Sequence, residues 1–346
     1  MDFTIAALLT QDGVITGAVY ALLAMGIVLV FSVTRVIFVP QGDYVAYAAL
    51  TMAALQVGKT PGVIWLLLIL SVLATLMELT QHVRSQNLRG IPRALTKYLG
   101  WPVLLVMLAY LLAPVKLPIY VQAALTLSLV TSLGPLLYRV AFQPVASASV
   151  LVLLIISVAV HLAITGLGLI LFGAEGSRTT PYSDARFTLG PLQITGQSIW
   201  VLAATAISII GLYLFFTHTL RGKALQATAI NRVGAQLMGI RSNEAGSQAF
   251  FLSALIGALS GLLIAPITTI FYDTGFLIGL KGFVAAIVGG LFSYPLAAMG
   301  ALLVGLIEAF ASFWASAFKE VLVFTLILPV LLWRSLHAHH SEEDEE

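Results

Sequence analysis

Eight stretches of this sequence, residues 13–34, 60–77, 98–115, 117–138, 140–174, 187–220, 245–272 and 282–307, contain no Asp, Glu, Lys or Arg. A helix needs about 20 apolar residues to span a bilayer. A charge at the bilayer centre costs about 2.5 to 3.5 kcal/mol on insertion scales. Runs of this length are therefore read as membrane crossings. Shorter apolar pieces at 44–58, 309–318 and 321–333 supply further spans, half-helices or re-entrant segments, which are tolerated at membrane depth only where protein or a wet cavity covers the backbone. The predicted fold class is all-α, a polytopic transmembrane helix bundle of 8 to 11 spans with broken or re-entrant helices. Composition leaves room for little else. The chain is 60% hydrophobic and 9% charged, against roughly 45–50% and about 25% in soluble domains. The transmembrane unit is expected over residues 1–336, and residues 337–346, polar and acidic, are expected to form a disordered cytoplasmic tail.

The charges name no soluble partner. Seventeen Lys and Arg nearly cancel fifteen Asp and Glu, so nucleic acid is not an expected ligand. No cysteine is present, which removes disulfides, thiolate metal sites and a Cys nucleophile. The residues before the first apolar run carry Asp2 and Asp12 but no Lys or Arg, unlike a secretory leader, so a retained first span is expected. Basic residues crowd the loop with Arg84, Arg89, Arg93 and Lys97 and the loop with Arg221, Lys223, Arg232 and Arg241, and Arg35, Arg139 and Arg334 mark other ends. Placing all of these in the cytoplasm leaves Lys59, Lys116, Arg178, Arg186, Lys281 and Lys319 outside, with the N-terminus outside and the C-terminus inside. The turn-rich segment 173–197 is then the one long external loop.

No P-loop, H-E-x-x-H or G-x-S-x-G motif occurs, so no catalytic residue is assigned and any ATP use belongs to a partner. His337, His339 and His340 read as a solvated tail rather than a metal site. Four charges beside or inside apolar runs stand out: Asp43, Glu78, Lys281 and Glu308. Glu78 reads as structural. Asp43 is either solvated or the cap of the following helix, Lys281 is expected to snorkel to the outer surface, and Glu308 either packs helices or lines a path. His161 reads as a satisfied packing histidine. Gly13/Gly17, Gly257/Gly261 and Gly275/Gly279 are small-xxx-small pairs suited to close helix contact. Pro40-Gln41-Gly42-Asp43 marks either a surface turn or a helix broken at depth, the device with which transporters build binding sites; Ser293-Tyr294-Pro295 divides another run in the same way. In the segment 218–248, Leu225, Ala229, Val233 and Leu237 fall at helical spacing among basic residues, and Gly239 is a helix stop. This segment reads as an amphipathic cytoplasmic helix that lies on the membrane or docks in a cytosolic partner.

At this segment the sequence resembles a known family. Arg221-Gly222-Lys223-Ala224-x-Gln226-Ala227-x-Ala229-x-Asn231, followed by Ala235-x-Leu237-Met238-Gly239-Ile240 and a span ending Gly257-Ala258-Leu259-Ser260-Gly261, resembles the permease subunits of ABC importers for branched-chain amino acids. Three further stretches agree in order: Gly17 through Gly26, Tyr138-Arg139 before the run from Val150, and Gly279 through Gly290 followed by Gly305-Leu306-Ile307-Glu308-Ala309. The likeness covers residues 13–333 and is closer to the H-type permease of the Leu/Ile/Val system. It departs at Phe38–Asp43, where the family's Asn-Phe-Ala-His-Gly-Glu keeps its Gly and its acid but loses Asn and His, and in a longer stretch from Gln81 to Pro118.

The resemblance implies a non-catalytic transport subunit of a bacterial inner membrane. A second permease, two cytosolic ATPases that bind ATP and Mg, and an extracytoplasmic solute-binding protein would complete it. No cofactor is expected on this chain. By the resemblance Arg221, Lys223, Asn231, Arg232, Gly239 and Arg241 couple to the ATPases, and Tyr20, Pro40, Gln41, Gly42, Asp43, Lys281 and Glu308 contribute to the pathway. The cargo would be branched-chain or other hydrophobic amino acids. Urea, amides, aromatic or other small organic compounds are alternatives on the same fold, and an ion-coupled secondary transporter is a different one.

Overall fold

The computed structural model describes every residue except 1–2, 85–90, 116, 191, 292 and 343–346. Arg89, Lys116 and the acidic end of the expected tail thus lie outside the described residues. Among those described, the chain forms α1 (Phe3–Thr34), α2 (Gln41–Gln56), α3 (Val63–Arg84), α4 (Ile91–Leu95), α5 (Trp101–Leu112), α6 (Ile119–Leu137), α7 (Val150–Phe172), β1 (Arg186–Leu189), β2 (Leu192–Thr195), α8 (Gly196–His218), α9 (Leu220–Ile230), α10 (Arg232–Leu237), α11 (Ser242–Ile264), α12 (Thr274–Val288), α13 (Tyr294–Trp314), α14 (Lys319–Thr325) and α15 (Ile327–Glu342). Eight helices are long and apolar enough to cross a membrane, and two shorter apolar ones accompany them. The fold is an all-α polytopic bundle. Its one departure is the antiparallel hairpin β1–β2 in the expected external loop, where Gly190, at φ 60°, supplies the left-handed turn conformation.

Apolarity does not decide which helix is central, because lipid and protein are equally apolar; small residues decide it. In α1, 83% of the most hydrophobic window is buried, against 22% in α7, 17% in α8 and 6% in the α14–α15 stretch. All three glycine pairs lie at helix contacts. Gly13 and Gly17 face Leu306 and Leu302 of the antiparallel α13, Gly257 and Gly261 receive Tyr44 and Val45 of α2, and Gly275 and Gly279 of α12 meet Gly42. A Cβ on Gly42 would collide with the Gly275 carbonyl, so α2 and α12 touch backbone to backbone.

One helix starts at a break inside the bundle. After α1 the chain turns at Arg35, a non-glycine residue with φ 60°, and runs without helix to Pro40. α2 begins beside Gly26 and Ser253, both well inside their own helices, and ends where Gln56 accepts from Thr180 N–H in the 173–197 loop. Residues 36–56 therefore run between the two ends of the bundle with residues 36–40 unwound, and Pro40–Asp43 is a buried break and not a surface turn. The expected division at Ser293–Pro295 is corrected: the chain turns after α12, with Gly290 at φ 84° and Leu291 at φ 60°, and α13 starts with Pro295 in its first turn and runs back along α12, Gly289 against Ala297 and Gly300 against Ala285.

The bundle has two distinct ends. Gln11 donates to the Gln193 carbonyl at 2.9 Å, tying the start of α1 to the hairpin, and Arg35 donates to the Ala229 carbonyl at 3.4 Å, tying its far end to α9. Glycine contacts make an opposed pair of predictions. Gly305→Ala drives a methyl into the backbone of Gly13 and Gly17, so the detergent-solubilised protein should lose about 1 to 3 kcal/mol of stability. Gly166→Ala, with nothing within 4 Å of the new Cβ, should be neutral or stabilising by up to about 1 kcal/mol. Thermal unfolding of both variants checks the order.

Candidate functional site

Breaking a helix inside an apolar bundle frees backbone groups that water cannot reach, and the break before α2 is built from partners for them. The Val39 N–H donates to Ser157 Oγ of α7 at 2.8 Å. Gln41, fully buried, donates through Nε2 to the Ser253 carbonyl of α11 at 3.1 Å; Ser253 Oγ donates to Gln41 Oε1 and, at 3.2 Å, to the Gly26 carbonyl of α1. Pro40 and Gly42 shape the break itself. Val39 and Gln41, with Ser253, thus link the break to α7, α11 and α1.

Asp43 lies in the first turn of α2, where a carboxylate meets the positive end of the helix dipole. It is 2% exposed, so it is not solvated. Both its oxygens face His161 Nδ1 of α7, at 2.8 and 3.0 Å. A proton on Nδ1 fits this carboxylate. The ring also stacks on Phe276 of α12, with centroids 4.6 Å apart. His161 is therefore satisfied, as its apolar setting suggested, and its partner is the acid at the break.

A second buried cluster joins α1, α12, α13 and α14. Lys281 Nζ donates to Glu308 Oε1 at 2.6 Å and to Glu320 Oε1 at 3.0 Å, and Tyr20 Oη donates to Glu308 Oε2 at 2.6 Å. The expected snorkelling of Lys281 is corrected. Its side chain is 7% exposed, because α12 is enclosed by its neighbours and two carboxylates reach the ammonium inside the bundle. One cation faces two anions, and the second Glu320 oxygen is buried with no protein partner.

At the other end, α9 and α10 are capped by Thr219 and Asn231, whose side chains accept from Gly222 and Gly234 N–H at 3.0 and 2.8 Å. The single amphipathic helix expected here is corrected to two short ones, because the extended backbone of Asn231 breaks it. The expected stripe breaks with it: Leu225 is buried, whereas Val233 and Leu237 are exposed with Leu220, Ile230 and Met238. Arg221, Lys223 and Arg241 are exposed, and the Arg241–Glu244 pair is a surface one. Arg232 instead turns inward and donates to the Ala146 carbonyl at 2.9 Å. Gly239, at φ 84°, ends α10 as the sequence indicates. An open cleft of about 620 Å³ separates this arm from the buried Arg139, which pairs with Glu78 at 2.7 Å.

The structure therefore divides the predicted pathway residues into two groups, Gln41, Gly42 and Asp43 at the break and Tyr20, Lys281 and Glu308 beyond it. Ser157, Ser253, Phe276 and Glu320 were missed. Each is a common residue in an apolar or terminal setting, and no spacing marks it. Among the described residues no group of three or more His, Cys, Asp or Glu could hold a metal ion.

Comparison with known proteins agrees with this architecture. Residues 94–331 match the family of branched-chain amino acid transport system permease components. The high-affinity branched-chain amino acid transport system permease protein BraD of Pseudomonas aeruginosa is 28% identical over 228 residues, 63% of this chain and 74% of that protein. The corresponding LivH protein of Escherichia coli K12 is 28% identical over 205 residues, 56% of this chain and 65% of that protein. A probable LivH permease of Methanocaldococcus jannaschii is 30% identical over 210 residues, 59% of this chain and 64% of that protein. No solved structure matches the chain. The family match covers more than half of the sequence, and the chain belongs to the family of branched-chain amino acid transport permease components.

Proposed function

We propose that this chain is the permease subunit of an ATP-driven ABC importer and forms the path for branched-chain or other hydrophobic amino acids. The observation that carries the reading is the helix broken inside the bundle, with Gln41 and Asp43 at the start of α2. A broken helix at depth offers polar groups to a substrate without exposing backbone to lipid. An acid there suits the ammonium group of an amino acid. The names of the BraD and LivH relatives support the cargo.

In this reading the membrane is the bacterial inner membrane, with the hairpin end outside and the α9–α10 end in the cytoplasm. That places Arg35, Arg139, Arg221, Lys223, Arg232 and Arg241 inside, in keeping with the positive-inside rule. The N-terminus lies outside and the C-terminus inside. ATP and Mg sit on two partner ATPases, a second permease completes the membrane unit, and a solute-binding protein delivers cargo at the hairpin end. The apolar side chains exposed on α9 and α10 project from the wet end of the bundle, where a large apolar patch marks a docking surface.

Two experiments test this. Leu237→Arg combined with Arg221→Glu should abolish copurification of the ATPase subunits while the permease still inserts; undiminished copurification moves the docking surface elsewhere. Asp43→Asn should lower uptake by the reconstituted complex at least about tenfold, the equivalent of about 1.4 kcal/mol, with the ATPases still bound. Uptake at the wild-type rate removes Asp43 from the path, and uptake by this chain alone under an ion gradient overturns the ABC assignment.

A further inference from the structure

α7 buries a single stripe: Leu153, Ser157, His161, Ile164 and Gly168. The opposite face of the helix, with Leu151, Ile155, Leu162 and Ile170, is exposed. Along that stripe three polar contacts reach the broken crossing and the helix it starts. The Val39 N–H donates to Ser157 Oγ at 2.8 Å, His161 Nδ1 meets Asp43 at 2.8 Å, and Tyr47 Oη donates to the Ile164 carbonyl at 2.8 Å. α7 is thus bonded to the break itself, on the side opposite α11 and Ser253.

Its two ends are held differently. At the hairpin end Leu171 packs against Gly62 so closely that a Cβ there would collide with the Leu171 carbonyl. At the other end the chain enters α7 through a short non-α segment, Tyr138–Val145, and Ala146. The Ala146 carbonyl accepts from Arg232 of α10 at 2.9 Å. One end is a tight pivot, and the other is bonded to the arm.

We propose that α7 is the lever that carries displacement of α10 to the pathway, with Arg232 as the positioning residue at its driven end and Ser157 and His161 at its working end. The inference rests on the reading in which α9 and α10 receive the work of the ATPases. Apart from the longer Arg35–Ala229 bond of 3.4 Å, which ties α9 to the end of α1, the alternative routes are stiffer. α1, α11 and α12 meet α2 or one another through glycine backbone contacts that admit no Cβ, and close-packed interfaces do not deform continuously. α7 is joined to the break by three hydrogen bonds, which can part and re-form in a helix shift of about 1 to 2 Å. A swing of α7 about Gly62 displaces the partners of the Val39 N–H and the Asp43 carboxylate together, and so reshapes the start of α2.

The absence of cysteine lets this be measured directly in the full transporter, with its ATPases, second permease and binding protein, in lipid nanodiscs. Nitroxide labels at Ile155→Cys on α7 and Leu76→Cys on α3, both outward-facing positions, report their separation with and without trapped ATP. The expected result is an ATP-dependent shift of about 2 Å in the otherwise wild-type chain that is lost in Arg232→Ala, together with a fall of at least about fivefold in substrate transported per ATP. Arg232→Lys, which retains a donor for the Ala146 carbonyl, should restore much of both. If the shift persists in Arg232→Ala, or if α7 stays still in the wild type while transport proceeds, the lever is overturned. Failure of the underlying reading looks different: the ATPases then copurify with the chain altered at Leu237 and Arg221, whatever α7 does.

Discussion

Hydrocarbon supplies no hydrogen bond, and the structure around α2 is organised by that fact. A helix interrupted at depth frees donors and acceptors worth several kcal/mol each if left unpaired. Pro40 removes one donor by having none. Ser157 accepts from Val39, Asp43 N–H returns to the Pro40 carbonyl at 3.0 Å, and the Gln41 side chain bridges to Ser253. These needs place α7 and α11 on either side of the break, and the glycines of α12 close the third. The neighbours of α2 are thus fixed by its missing turn.

Charges follow the same logic. The buried charges Asp43, Lys281 and Arg139 are each paired, with His161, with Glu308 and Glu320, and with Glu78. Such pairs do little for net stability, since desolvation offsets most of the attraction, but removing one partner costs about 3 to 5 kcal/mol. They act as registers that penalise other helix arrangements. The Lys281 cluster, with one more anion than cations, differs from the others in leaving a carboxylate oxygen unmatched.

The crossings were legible because charge is so costly in lipid that its absence marks them, and the glycine pairs were legible because close approach needs small residues at fixed spacing. Pro40–Asp43 announced a break, although its depth depended on Ser157 and Ser253, more than a hundred residues away in sequence. The direction of Lys281 was misread for the same reason. Snorkelling is a local expectation, and the carboxylates that hold the ammonium inside lie 27 and 39 residues further along. In the 218–248 segment the apolar spacing suggested one helix, but Asn231 is a strong N-cap residue and its side chain started a second. The hairpin in the 173–197 loop had too few strand residues to register.

The Lys281 cluster also bears on how the protein is made. Tyr20 enters the membrane early, whereas Lys281 emerges before either of its carboxylates. At about 5 to 20 residues per second, the 39 residues to Glu320 take about 2 to 8 s. During that interval the ammonium is without its full set of counter-charges, so α12 gains by staying near water or the insertion machinery until α13 and α14 arrive. α13 and α14, which carry Glu308 and Glu320, then act as a closing latch: their entry turns Lys281 from an obstacle to insertion into a fastening.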